Sequence, residues 1–229
     1  MHTIAENLCR LRDQVRGAAL AAGRDPEEIR LVAVSKTVPP ERVREAYDAG
    51  QRLFGENRAQ ELAAKAEALA GLEIAWHFVG HLQTNKVRQV IPLAALVHSL
   101  DRGELAEKIN LQAPAAHPQP VLIQVNTSGE PSKSGIAPEL LPELLDRVAG
   151  LPGLTVEGLM TIGPLTEDRE EIRAAFRRLR LAIERERARA RPRAPLRELS
   201  MGMSGDFIIA VEEGATLLRI GTALFGQRD

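Results

Sequence analysis

Lys36 stands at the end of a continuous apolar run, Leu31-Val32-Ala33-Val34-Ser35-Lys36, and is followed at once by Thr37-Val38-Pro39-Pro40. The run is rich in β-branched residues and reads as a strand buried on both faces, the kind found in parallel sheets. Parallel α/β folds place their chemistry at the C-terminal ends of such strands. A lysine amine held away from water there becomes a nucleophile toward carbonyl carbon. From this run alone, a strand-end lysine that snorkels to solvent is the simpler reading.

A second group of residues gives the lysine a context. Ser200-Met201-Gly202-Met203-Ser204-Gly205-Asp206 and Arg219-Ile220-Gly221-Thr222 combine hydroxyls with glycines that let a ligand approach the backbone. Loops after the last two strands of a barrel often bind phosphate through N–H groups and a helix N-terminus. The alternative is that the glycines only turn the chain and Ser204 or Asp206 caps a helix. A Schiff-base lysine and a phosphate cup in one barrel mouth point to pyridoxal 5′-phosphate (PLP).

Other candidates are weaker. His77 and His81 have the spacing of a two-histidine metal helix, but Phe78-Val79-Gly80 lies between them and no third ligand is evident. A histidine that hydrogen-bonds a neighbour at the mouth is the better reading, for His98 as well. Glu56 and Asp206 have the chemistry of an acid or base, yet nothing in the sequence pairs them. Neither a nucleophile elbow nor a P-loop glycine pattern is present.

The elements that must position these residues alternate. Ile4, Leu8, Leu11 and Val15 give an opening amphipathic helix that stops near Gly23. Strands are expected at about 31–36, 51–54, 74–79, 95–99, 120–126, 155–162, 197–201 and 216–220. Helices are expected at about 40–49, 57–70, 84–91, 102–112, 138–149, 168–190 and 205–213. Eight strand–helix units predict a single (β/α)8 TIM-type barrel over residues 1–229 with an extra N-terminal helix. An open doubly wound sheet is the alternative.

Composition limits the function. The net charge of −1 provides no global field for nucleic acid or a membrane surface, and 3% aromatic residues leave few platforms for stacking bases. The dense arginines between Arg177 and Arg193 alternate with Glu184 and Glu186, which reads as a solvated helix. Cys9 alone excludes an internal disulfide framework, and no apolar run approaches the length of a membrane span. A cytoplasmic protein without a signal peptide is expected.

At this point the residues resemble a known family. Ala33-Val34-Ser35-Lys36-Thr37, Phe54-Gly55-Glu56-Asn57, Trp76 through Lys86, Asn126 with Lys133-Ser134-Gly135, Gly158-Leu159-Met160, Ser200 through Asp206 and Arg219 through Thr222 are similar, in order, to the pyridoxal phosphate homeostasis proteins. That family (the YggS or PROSC type) is related to the N-terminal domain of alanine racemase. The resemblance implies a fold-type III PLP barrel with the cofactor as a Schiff base on Lys36. It implies phosphate contacts from Ser204, Gly221 and Thr222, with Ser200 and Met201 nearby, and Arg219 facing the pyridine nitrogen. Asn57, His81 and Met160 match positions that line the cofactor mouth. Arg58 replaces the family's usual tyrosine or lysine, and Ile208-Ile209 replace acidic or small residues, which bears only on the rim and the last helix.

The resemblance implies a carrier that supports vitamin B6 and amino-acid homeostasis, a monomer that delivers PLP to apo PLP-dependent enzymes, with no or trace turnover. The alternative is an amino-acid racemase of the alanine racemase type. That enzyme has a second β domain and a tyrosine base, whereas this chain ends nine residues after Ile220 and its single tyrosine, Tyr47, falls on the helix after strand one. An arginine at the pyridine nitrogen leaves the ring unprotonated and a poorer electron sink, which suits a carrier.

Overall fold

The computed structural model describes residues 2–130 and 133–227. Among them, eight parallel strands close into a barrel in sequence order: β1 (Arg30–Val34), β2 (Leu53–Glu56), β3 (Ala75–Phe78), β4 (Ala94–Leu100), β5 (Gln119–Gln124), β6 (Leu154–Met160), β7 (Glu198–Ser200) and β8 (Leu217–Ile220). β8 returns to pair with β1 in the register Val32↔Arg219 and Ala33↔Ile220, so the barrel is closed and the open-sheet alternative is excluded.

The helices are α1 (Ile4–Ala21), α2 (Pro40–Asp48), α3 (Ala59–Ala68), α4 (Val87–Val90), α5 (Gly103–Asn110), α6 (Leu141–Ala149), α7 (Arg169–Arg187), α8 (Phe207–Glu212) and α9 (Thr222–Phe225). α1 begins with a capping box in which the Thr3 hydroxyl accepts from Glu6 N–H and the Thr3 N–H donates to Glu6. Its buried face is Ile4, Leu8, Leu11, Val15 and Ala19, packed on α8, α9 and α2.

Several elements are shorter than the periodicity predicts. The expected helix at 84–91 is a 3₁₀ turn, Thr84–Lys86, leading into one turn of α-helix. The helix expected from 205 starts at Phe207, because the preceding loop is spent on the barrel mouth. β1 ends at Val34, which leaves Lys36 in the turn that follows. The arginines of α7 and of the segment that follows it are ion-paired rather than simply solvated: Arg173, Arg177 and Arg180 converge on buried Glu213, and Arg185, Arg189 and Arg191 on buried Glu186.

The main core lies between the strands and the helices that cover them. A separate small cluster, Val32, Leu96, Leu122, Met160 and Leu217, draws one residue from each of five strands and therefore plugs the barrel interior.

Candidate functional site

A cavity of about 450 Å³ opens at the C-terminal ends of the strands. Seven of the expected site residues line it: Lys36, Asn57, His81, Ser204, Arg219, Gly221 and Thr222. Ser200, Met201 and Met160 do not. Met160 belongs to the interior plug, Met201 is fully buried in the core around the barrel, and Ser200 lies beneath Arg219. Gln124, Ser134 and Met203 also line the cavity. Gln124 falls inside the strand expected at 120–126, where nothing in its type marked it; the structure makes it the last residue of β5.

Lys36 makes no hydrogen bond or ion pair among the described residues, and it lines the cavity. The backbone on both sides of it is tightly held. Ser35 N–H donates to Gly55 O, and the Ser35 hydroxyl donates to Glu56 Oε1 at 2.6 Å. Lys65 Nζ donates to Ser35 O at 2.5 Å and to Glu56 Oε1 at 2.6 Å. Thr37 adopts φ 61°, unusual for a β-branched residue, and its N–H donates to Glu61 Oε2 at 2.7 Å. Burial raises the Glu56 carboxyl above its ordinary range, opposed by the bonds from Lys65 and Ser35. Glu56 Oε2 is buried without a partner. This cluster fixes the direction in which Lys36 leaves the turn.

Across the cavity the loops after β7 and β8 form a cup. Gly202 has φ 92°, and a Cβ there would stand 2.5 Å from the Ala210 Cβ, so only glycine lets the loop pack against α8. Met203 N–H donates to Asp206 Oδ1 at 2.5 Å, and Ala223 N–H donates to the Ser204 hydroxyl at 3.1 Å, which ties the two loops together. Asp206 therefore shapes the loop and its side chain does not cap α8. The N–H groups of Gly205, Gly221 and Thr222 take no acceptor among the described residues. A cup of free N–H groups and hydroxyls accepts a phosphate. α8 and α9 are too short for their macrodipoles to add much.

Arg219 reaches the cavity from β8 although it is 5% exposed. It donates to the Ser200 hydroxyl at 2.6 Å and to Thr161 O at 2.7 Å. Burial pushes its guanidinium down to about 10, with Asp206 opposing, so it stays charged at neutral pH. Asn57 Oδ1 is a buried acceptor without a partner in the cavity wall. A Cβ on Gly80 would come within 2.2 Å of Asn57 O, so the β2 and β3 loops touch backbone to backbone. His81 is half exposed at the rim, its Nδ1 3.5 Å from Asp101 Oδ2.

His77 does not join His81. Its Nδ1 lies 2.9 Å from His98 Nε2 inside the barrel. Among the described residues no group of three His, Cys, Asp or Glu side chains is placed to hold a metal ion. Tyr47, the single tyrosine of the chain, is remote from the cavity wall; its ring stacks under Arg52 and its hydroxyl accepts from Glu73 N–H. Arg58 is exposed beside Glu61, and Ile208 packs on the core, so neither lines the cavity. No helix among the described residues is long and apolar enough to cross a membrane.

Residues 4–229 match the family described as alanine racemase, N-terminal domain. A pyridoxal phosphate homeostasis protein of Pseudomonas aeruginosa is 49% identical over 230 residues, covering 100% of this chain and 97% of the relative. One from Aquifex aeolicus is 47% identical, covering 97% of each chain. The PipY structure from Synechococcus elongatus with PLP bound superposes with a TM-score of 0.85 at 38% identity, over 98% of this chain and 100% of that one. Alanine racemase from Corynebacterium glutamicum shares the fold, with a TM-score of 0.74 at 17% identity; 98% of this chain covers 61% of that one.

Proposed function

We propose that this chain, which belongs to the family of alanine racemase N-terminal domains and within it to the pyridoxal phosphate homeostasis proteins, binds PLP on Lys36 as a Schiff base and acts as a carrier. The observation that carries the reading is one cavity lined both by Lys36, which has no partner among the described residues, and by a cup of free N–H groups and hydroxyls. Each part of the cofactor has a counterpart. Lys36 meets the aldehyde, and Ser204, Gly205, Gly221 and Thr222 meet the phosphate. Arg219 meets the ring nitrogen, and the orphaned Asn57 Oδ1 is an acceptor for the ring hydroxyl. Bound there, PLP would supply a carbonyl electrophile and a modest electron sink.

The residues around the amine support carriage rather than turnover: among the described residues the one imidazole in the cavity wall, His81, stands half exposed at the rim beside Asp101. A two-base racemisation needs an acid or base on the face opposite the lysine. Tyr47 lies elsewhere, and His77 and His98 are committed to each other below the cavity. We read the protein as a cytoplasmic monomer that releases PLP to apo PLP-dependent enzymes. His81 and Met203 at the rim, 39% exposed in the case of Met203, leave the mouth open to such an exchange.

The test is chemical. Purified protein should be yellow, and borohydride should fix one PLP on the peptide that contains Lys36. A reducible chromophore that persists on another lysine in Lys36→Ala would refute the assignment. Racemisation of L-alanine at an ordinary enzyme rate, about 1 per second or faster, would refute carriage without turnover.

A further inference from the structure

Below the cavity a buried chain of side chains runs from Arg219 across the barrel. Arg219 meets the Ser200 hydroxyl at 2.6 Å, Ser200 Oγ lies 2.9 Å from His98 Nδ1, and His98 Nε2 lies 2.9 Å from His77 Nδ1. The two imidazole rings are tilted at 48° with centroids 5.0 Å apart. These residues come from β8, β7, β4 and β3, and all are buried. The carrier function described above does not by itself use His98 or His77.

We propose that Ser200, His98 and His77 form a polarised relay that aims Arg219 at the ring nitrogen of the ligand, with both histidines neutral and protonated on Nε2. Proton counting gives the direction. A guanidinium only donates, so Ser200 Oγ accepts from it and has one hydrogen left to give. Its hydroxyl has one other partner among the described residues, His98 Nδ1, which must therefore be an unprotonated acceptor. A neutral His98 then carries its proton on Nε2 and donates it to His77 Nδ1. His77 in turn is protonated on Nε2. The opposite polarity would aim two donors at Ser200 and leave its own hydrogen buried without an acceptor, which is costly.

The relay explains how Arg219 is held. No carboxylate stands within ion-pair distance of it among the described residues; two neutral oxygens, Ser200 Oγ and Thr161 O, hold it instead. A carboxylate partner would compete with the ligand for the guanidinium. Neutral acceptors fix its plane and leave its remaining N–H groups to the cavity. Ser200, His98 and His77 are positioning residues, since none of them lines the cavity.

Two measurements test this, and the second rests on the proposed PLP binding. The first is two-bond ¹⁵N–¹H correlation NMR of histidine-labelled protein at neutral pH, with and without PLP. His98 and His77 should both show an unprotonated Nδ1 and a protonated Nε2. A proton on Nδ1 of His98, or a charged ring, would overturn the relay whatever the protein binds. The second compares binding of PLP with that of deaza-PLP, in which C–H replaces the ring nitrogen. Ser200→Ala should weaken PLP about tenfold, as loss of a hydrogen bond to a charged group does, and deaza-PLP less than about twofold. His98→Leu should behave the same way. His98→Gln, whose amide both accepts and donates, should restore PLP binding to within about threefold of the parent protein. Should His98→Leu fail to fold, Ser200→Ala and His98→Gln decide the matter. Equal losses for the two ligands, or none for PLP, would overturn the proposal. Failure of the parent protein to retain any PLP would instead remove the carrier reading and leave the NMR result standing.

Discussion

Lys65→Met removes the one cation that touches the Glu56 carboxylate among the described residues. Glu56 is fully buried and Lys65 is 5% exposed, so water cannot replace the lost ammonium. Methionine fills nearly the same volume, and the main loss is electrostatic. Breaking a buried pair in this way costs about 3–5 kcal/mol. The carboxyl can escape part of that by taking up a proton. Its ordinary value is 4.5, so neutralising it at pH 7 costs about 3.4 kcal/mol, a gap of 2.5 at 1.36 kcal/mol each. At pH 5 the same step costs about 0.8 kcal/mol. The sign follows from the raised carboxyl: the folded variant binds more protons than the unfolded chain above pH 4.5, so stability falls as pH rises from there. Urea denaturation of variant and parent should therefore differ by about 3 kcal/mol at pH 7 and by about 1 at pH 5. The Ser35 carbonyl also loses its donor, so the Lys36 turn loosens and PLP should dissociate faster. An equal difference at both pH values would show that lost packing, not an orphaned charge, is responsible.

The buried imidazoles predict an opposite pH response. Burial, with the Arg30 charge adding to it, lowers His77 to about 4, and burial and neighbouring cations hold His98 well below 6.5. Their contribution is complete above pH 6.5 and declines as pH falls toward 4, by roughly 3 kcal/mol for His77 alone. Stability that falls less steeply between pH 7 and 5 in His77→Gln than in the parent, with the remaining fall left to His98, would check it; equal slopes would refute it. Gly202→Ala should destabilise by about 2–4 kcal/mol, from left-handed backbone strain and the clash with Ala210, as read from thermal unfolding. Ser204→Ala and Thr222→Ala should each weaken PLP about tenfold or more and pyridoxal far less, because only PLP carries the phosphate. Dissociation rates measure this, and equal weakening would move the phosphate elsewhere.

The barrel was legible in the chain because its signal is local. Buried parallel strands read as short apolar runs, and each is followed by a helix whose one face must be apolar. Even the helix pattern of α7, with Ile172, Phe176, Leu179 and Ile183 buried, could be read without knowing what it packs against. Lys36, Arg219 and the hydroxyl and glycine segments were legible as chemistry because loops at strand ends in such a fold converge. What each residue faces was not. Successive strand residues alternate between the interior and the helices, and barrel closure sets which strand level meets which. That is why Met160 falls in the interior plug, Met201 in the outer core and Ser200 one layer under the cavity. Side-chain pairs made by packing were invisible as well: Lys65 with Glu56, where α3 folds back on β2, and His77 with His98 and Ser200, across three strands of the closed barrel. Sequence determines which groups exist and roughly where the chain turns. Only the closed register decides which buried donor finds which acceptor, and in this barrel interior that pairing holds Arg219 beneath the mouth.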